Sequence, residues 1–193
     1  MGVREQMIRV LRSSDTQRIH FSFTGSTGIA IAVDGSTFRR VAQAIEENHV
    51  YVVEGGVSGG WAQYSARANP QRSTEANTFY VGPDQHWSRA FDALLVHETV
   101  HASFDLTNSS LPWLDNETAA YIAQGYYLRN TGFSSSRLDH VGATNQPYLG
   151  RQIVDSIIRD GTIDSFWLDQ LHSSLLSNPQ YHDYIRGTFT GDG

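Results

Sequence analysis

The chain has 193 residues, a formal net charge of −6, and neither cysteine nor lysine. That length suits one domain of ordinary size, and the negative charge argues against a nucleic-acid or anionic-membrane partner, which a basic surface would serve. Disulfides, thiolate chemistry, Cys-based zinc sites and lysine Schiff bases are all excluded, so any metal must sit on histidines and carboxylates.

In chain order, the first 83 residues read as strand-rich. Residues 7–11, 19–23 and 28–33 have the short β-branched or aromatic character of strands. Phe38, Val41, Ala42 and Ile45 then recur at helical spacing, with Ser36 or Thr37 available as the N-cap. Strands are predicted at 50–53, 61–68 and 78–81, separated by the glycine-rich stretch 54–60 and a polar loop over 69–77. From residue 84 the pattern turns helical. Asp84 is a suitable N-cap, and Trp87, Phe91, Leu94, Leu95 and Val100 form an apolar stripe reaching about residue 104. A loop at 107–112 leads to a second helix at about 116–129, followed by helices at 150–159, 163–176 and 179–185 and a frayed tail at 188–193.

These elements predict an α+β fold in one domain spanning 1–193: a twisted, mostly antiparallel sheet in 1–83, then a helical half in 84–187. No apolar run approaches the ~20 residues of a membrane span, and the first residues lack the apolar core of a secretory signal. The chain is therefore expected to be cytoplasmic, or exported by a route that uses no such signal.

The informative segment is Leu94-Leu95-Val96-His97-Glu98-Thr99-Val100-His101-Ala102, a His-Glu-x-x-His motif inside an apolar helix. Two histidines four apart project from one helix face, where both imidazoles can reach one Zn²⁺. Glu98 stands beside the first of them, where a carboxylate can take a proton from metal-activated water. Charged groups inside a buried helix also need a partner or a metal. A hydrolytic zinc site requires a third protein ligand and one open position. Glu117, sixteen positions after His101, suits that role because a second helix can return it across the first. Asp115 competes for the same place. Asp105, four after His101, better suits a hydrogen bond to that histidine. A third histidine in the metzincin position is missing, since Thr107 stands there.

On these residues the chain resembles the gluzincin group of zinc metallopeptidases, in which a glutamate on a second helix follows His-Glu-x-x-His. Asn116-Glu117-Thr118-Ala119-Ala120 is similar to that group's second-helix segment, and Trp113-Leu114 before it is similar to the aminopeptidase branch. The likeness covers roughly residues 78–130. It implies a zincin-like fold, zinc on His97, His101 and Glu117, and Glu98 as general base. The gap to Glu117 is shorter than in the large aminopeptidases and their Gly-x-Met-Glu-Asn motif is absent, so the expected activity is that of an endopeptidase acting on polypeptide or peptide.

The tetrahedral oxyanion of peptide hydrolysis needs a donor besides the metal. Tyr148, in the irregular Gln146-Pro147-Tyr148, is the first choice, ahead of Tyr126, His140, Tyr181, His182 and Tyr184. The strand at 78–81, which precedes the motif helix, is the expected edge along which an extended substrate pairs. Two other functions fit the same ligands: a binding domain that keeps a metal only for stability, and a zinc hydrolase of non-peptide amides or esters. Glu98 speaks against the first, because a purely structural site has no use for a base beside its ligand.

Overall fold

The computed structural model describes residues 2–83, 88–135, 138 and 145–193. It is α+β throughout, with helices in both halves of the chain. Helix α1 (Val3–Arg12) buries Val3, Gln6, Met7, Val10 and Leu11. That stripe explains why residues 7–11 are helical and not the strand predicted above. The window 7–11 is short, mostly apolar and partly β-branched, which suggests a strand, but adding Val3 reveals the 3.6-residue period. The short helix α2 (Ser14–Gln17) is capped by the Ser13 side chain.

Strands β1 (His20–Thr24) and β2 (Ala30–Asp34) form an antiparallel hairpin with Phe21 opposite Val33 and Phe23 opposite Ile31. Those four side chains are buried and the intervening residues are exposed, as expected of a sheet with one wet face. Helix α3 (Gly35–Glu46) follows at once. Its cap is Asp34, not Ser36 or Thr37. Asp34 Oδ1 accepts the Ser36 and Thr37 amides at 2.7 and 3.3 Å, and Thr37 Oγ1 returns the favour to the Asp34 amide at 3.2 Å. The predicted stripe of Phe38, Val41, Ala42 and Ile45 is fully buried.

Strands β3 (Tyr51–Glu54), β4 (Ala62–Ser65) and β5 (Thr78–Val81) form a three-stranded sheet in the order β3-β5-β4. Strand β5 pairs parallel with β3 and antiparallel with β4. Helix α4 (Arg89–Leu106) starts at Ser88, whose side chain accepts the Phe91 amide; the predicted cap Asp84 and the stripe residue Trp87 lie outside the described residues. Strand β6 (Ser110–Pro112) occupies much of the predicted loop, and helix α5 (Trp113–Asn130) begins three residues earlier than expected. Helices α6 (Gln146–Asp160) and α7 (Ser165–Ser177) follow. The predicted helix at 179–185 is instead a run of turns, closed by bonds such as Tyr181 N to Asn178 O and Tyr184 N to Tyr181 O.

Two expectations about the whole chain need correction. Among the described residues the sheet is not one twisted layer but three small pieces of two, three and two strands. The tail is not frayed: β7 (Thr188–Thr190) pairs antiparallel with β6, Phe189 is buried, and the Asp192 amide donates to Asp105 Oδ1 at 3.0 Å. A buried aromatic and a ladder to β6 offset the entropy of ordering the end of the chain.

Helices α4 and α5 form the centre of the molecule, and both are buried around most of their circumference. Such helices show little amphipathic contrast, which is the mark of a core helix. Helix α6 crosses close behind α5 through two glycines. A Cβ on Gly150 would stand 2.2 Å from Tyr121 O, and one on Gly125 would stand 2.7 Å from Arg151 N.

Candidate metal centre

His97, Glu98 and His101 lie on the face of α4 turned towards α5 and β4, and all three are buried. Their potential ligand atoms lie within 4.8 Å of one another, so this group could hold a metal ion. From the first turns of α5, Glu117 joins them. Its Oε2 lies 3.4 Å from His97 Nε2 and 3.8 Å from His101 Nε2. A tetrahedral site with ligands at about 2.0–2.1 Å sets its ligand atoms about 3.3–3.4 Å apart. The first distance equals that spacing and the second exceeds it by 0.4 Å, so Glu117 Oε2 stands close to where one small cation would require it.

Glu98 is placed differently. Its Oε2 accepts the Tyr64 backbone amide of β4 at 2.8 Å, and its Oε1 stands 4.0 Å from His97 Nε2. Burial raises its carboxyl to about 7, opposed by His101 and the Tyr64 amide and reinforced by the charge of Glu117. Burial acts on Glu117 in the same sense, but His101, His97 and the Tyr184 hydroxyl outweigh it and hold that carboxyl below its ordinary range. Glu117 is thus ionised, and its Oε2 is buried with no hydrogen-bond partner among the described residues. An unpartnered buried carboxylate oxygen is costly, and a cation between the two imidazoles would supply what it lacks.

The surroundings orient these groups. Asn116 Oδ1 lies 2.6 Å from His101 Nδ1, which leaves Nε2 to face the site when Nδ1 carries the proton. Tyr121 packs its ring edge-on to His97 at 4.4 Å. Tyr184 Oη donates to Glu117 Oε1 at 3.2 Å, and the hydroxyls of Tyr121 and Tyr181 are hydrogen-bonded to each other. Trp113 closes the His101 side, stacked edge-on with Tyr184 and Phe189. With the exception of Asn116, which lies behind His101, these residues line a cleft of about 540 Å³.

Of the residues singled out in the sequence, His97, Glu98, His101 and Glu117 are brought together. Asp115, the rival for the third position, faces elsewhere. Its carboxylate accepts the Ser26 amide and hydroxyl at 2.9–3.0 Å, and a Cβ on Gly25 would sit 2.5 Å from its Oδ2. It therefore ties the β1–β2 hairpin to α5. Asp105 does not bond His101. It accepts the Tyr64 hydroxyl at 2.6 Å, and Asn116 takes the role proposed for it.

Tyr148 is not at the cleft. It lies on α6, packed against Trp167 of α7, because α6 docks on α5 through Gly150. Tyr126 stacks on Phe21 in the core, and His182 is exposed beside Asp183. Tyr181 and Tyr184 do line the cleft. His140 lies outside the described residues. The expected substrate strand is also displaced: β5 is the centre of its sheet and is paired on both sides, whereas β4 is one of the two edge strands and lines the cleft. Tyr64, Asn116 and Tyr121 went unassigned in the sequence. Only Asn116, adjacent to Glu117, carried a local signal.

No family model, curated protein or solved structure matches the chain.

Proposed function

We propose that this chain is a zinc-dependent peptide-bond hydrolase of zincin-like architecture, acting as an endopeptidase, with His97, His101 and Glu117 as ligands and Glu98 as general base. The observation that carries the reading is the buried Glu117 Oε2, which has no hydrogen-bond partner among the described residues and lies 3.4 and 3.8 Å from two imidazole nitrogens. Two imidazoles and one carboxylate suit zinc, and the set leaves a fourth position free. A zinc ion held there supplies Lewis-acid polarisation and an acidified water.

The chain's own residues supply the rest. Glu98 is held by the Tyr64 amide through Oε2, so Oε1 remains to accept a proton and pass it to the departing amine. Asn116 keeps His101 in the tautomer that offers Nε2. The Tyr121–Tyr181 pair replaces Tyr148 as the source of the oxyanion donor. Two hydroxyls that share one hydrogen bond retain one uncommitted proton, and both residues line the cleft.

Substrate binding follows from β4. The Gly82 amide donates to Trp61 O at 2.8 Å across the antiparallel β4–β5 pair, so by alternation residues 63 and 65 also direct their backbone groups at β5. By alternation, Ala62 and Tyr64 direct theirs outward. The Tyr64 amide serves Glu98, which leaves its carbonyl and the Ala62 groups for an extended peptide. A peptide laid along an edge strand can run past the metal ligands in both directions, which favours internal cleavage over trimming at an end.

The test pairs metal analysis with peptide turnover. Purified protein is expected to hold about one zinc per chain and to cleave an unstructured protein such as casein. Glu98→Gln is expected to keep the zinc and lose about 10³-fold or more in kcat. Full activity in that variant would remove Glu98 from the mechanism, and a chain that binds no zinc would sink the whole reading.

A further inference from the structure

We propose that the groove leading away from the metal cleft selects substrates with an acidic side chain close to the scissile bond, and that Arg72 is the residue that reads it. The proposal rests on the peptidase reading above. A second cavity, of about 680 Å³, adjoins the metal cleft and shares Gln63, Tyr64, Ala66, Arg72, Trp113 and Phe189 with it. The two cavities therefore meet beside β4, and the second extends along the loop after it, from Arg67 to Thr74.

The charges along this second stretch run against those of the chain. The whole protein carries 20 acidic residues against 14 basic ones, yet the only charged residues lining this cavity are Arg67 and Arg72, with no carboxylate among its described lining. Arg67 is already engaged. Its Nε lies 3.4 Å from Asp192 Oδ2, and its Nη2 donates to Thr190 O at 3.2 Å. The Arg72 guanidinium has no ion pair or hydrogen bond among the described residues. Its backbone is nonetheless fixed, since Asn69 Oδ1 accepts the Gln71 and Arg72 amides at 3.0 and 3.3 Å and Asn69 pairs with Thr74 across the loop.

A guanidinium offers a planar fork of donors that matches a carboxylate bidentately. Arg72 lines both cavities, so the group it meets belongs to substrate residues close to the metal. An extended chain advances ~3.3 Å per residue, so peptides varied at the four positions on either side of the cleaved bond sample the stretch from the metal cleft into the second cavity. A lysine or arginine at the same substrate position meets an uncompensated like charge.

The test uses acetylated, amidated peptides of one sequence that carry Glu, Gln or Lys at each position within four of the cleaved bond. The side chain is then the only variable charge. The wild-type protein is expected to prefer Glu over Gln by about tenfold in kcat/KM at one position, through KM, and to disfavour Lys there. Arg72→Gln is expected to abolish the discrimination and Arg72→Glu to turn it towards Lys. Raising the salt concentration should weaken the wild-type preference.

Binding of the same peptides, fluorescently labelled, to zinc-loaded Glu98→Gln protein gives a second readout that needs no turnover. Equal dissociation constants for the Glu, Gln and Lys peptides, or a preference that survives Arg72→Gln, would overturn the role of Arg72 while leaving hydrolysis untouched. Acid-selective binding without any cleavage by the wild-type protein would keep the groove and discard the peptidase reading.

Discussion

A tyrosine that stabilises a developing oxyanion needs a hydroxyl proton not already committed elsewhere and a position at the cleft. Tyr184 fails the first condition, because its hydroxyl is given to Glu117, and Tyr148 fails the second. Tyr181 meets both when Tyr121 is the donor in the hydrogen bond they share, which leaves the Tyr181 proton free. Burial raises its phenol far above the ordinary range, reinforced by Glu117 and Tyr121, so it remains a donor at any working pH. Tyr181→Phe is accordingly expected to lower kcat by about 10²-fold with the zinc content unchanged, whereas Tyr148→Phe should stay within about twofold of wild type. Steady-state kinetics on one peptide decide between them. The contrast also shows what was legible in the residues. His97, Glu98 and His101 could be read because a helix fixes the direction of positions four apart. Tyr181 and the Tyr64 amide reach the site only through contacts distant in sequence, which leave no local pattern.

At the scale of elements, legibility followed the length of the periodic signal. The buried stripe of α3 spans enough residues to announce itself. Helix α1 did not, because its period emerges only once Val3 is read together with Met7, Val10 and Leu11. Strands β6 and β7 are three residues each and were invisible, since their pairing is entirely long-range. The junction of β2 and α3 offers an element-level test. Asp34 is held below its ordinary value of 3.8, first by the Ser36 hydroxyl at 2.5 Å, against some desolvation, and then by the Ser36 and Thr37 amides. An aspartate whose folded pKa is depressed adds stability that is present above the unfolded value and fades as the pH falls through the folded one. Asp34→Ala should cost about 1 kcal/mol at neutral pH, and the deficit should shrink as the solution is acidified below the ordinary carboxylate range. Asp34→Asn retains an acceptor at the cap, so its stability relative to Asp34→Ala should change little over the same titration. Urea denaturation at a series of pH values measures both.

For the molecule as a whole, the proposed cation would join two central helices by their most buried polar groups. His97 and His101 belong to α4 and Glu117 to α5, and between them lies a carboxylate oxygen with no other partner among the described residues. Without a cation, folding must bury that charge with only imidazoles and one tyrosine hydroxyl to support it, so the apo protein should be folded but weakened. Binding to the native state alone stabilises it by about 2.7 kcal/mol at a free zinc concentration 100-fold above Kd. In a domain of this size, each kcal/mol moves Tm by about 2–4 °C. Chelation followed by dialysis is therefore expected to lower Tm by about 5–10 °C, with zinc restoring it and magnesium, which prefers an octahedron of oxygens, failing to do so. The variants divide in a way that tests the ligand set independently of turnover. Glu98→Gln should keep the zinc-dependent shift, because that residue accepts a proton and does not bind the metal, whereas Glu117→Gln should lose most of it. A calorimetric scan showing the same Tm with and without zinc in the wild-type protein would mean that the α4–α5 cluster is not a metal site, whatever its spacing.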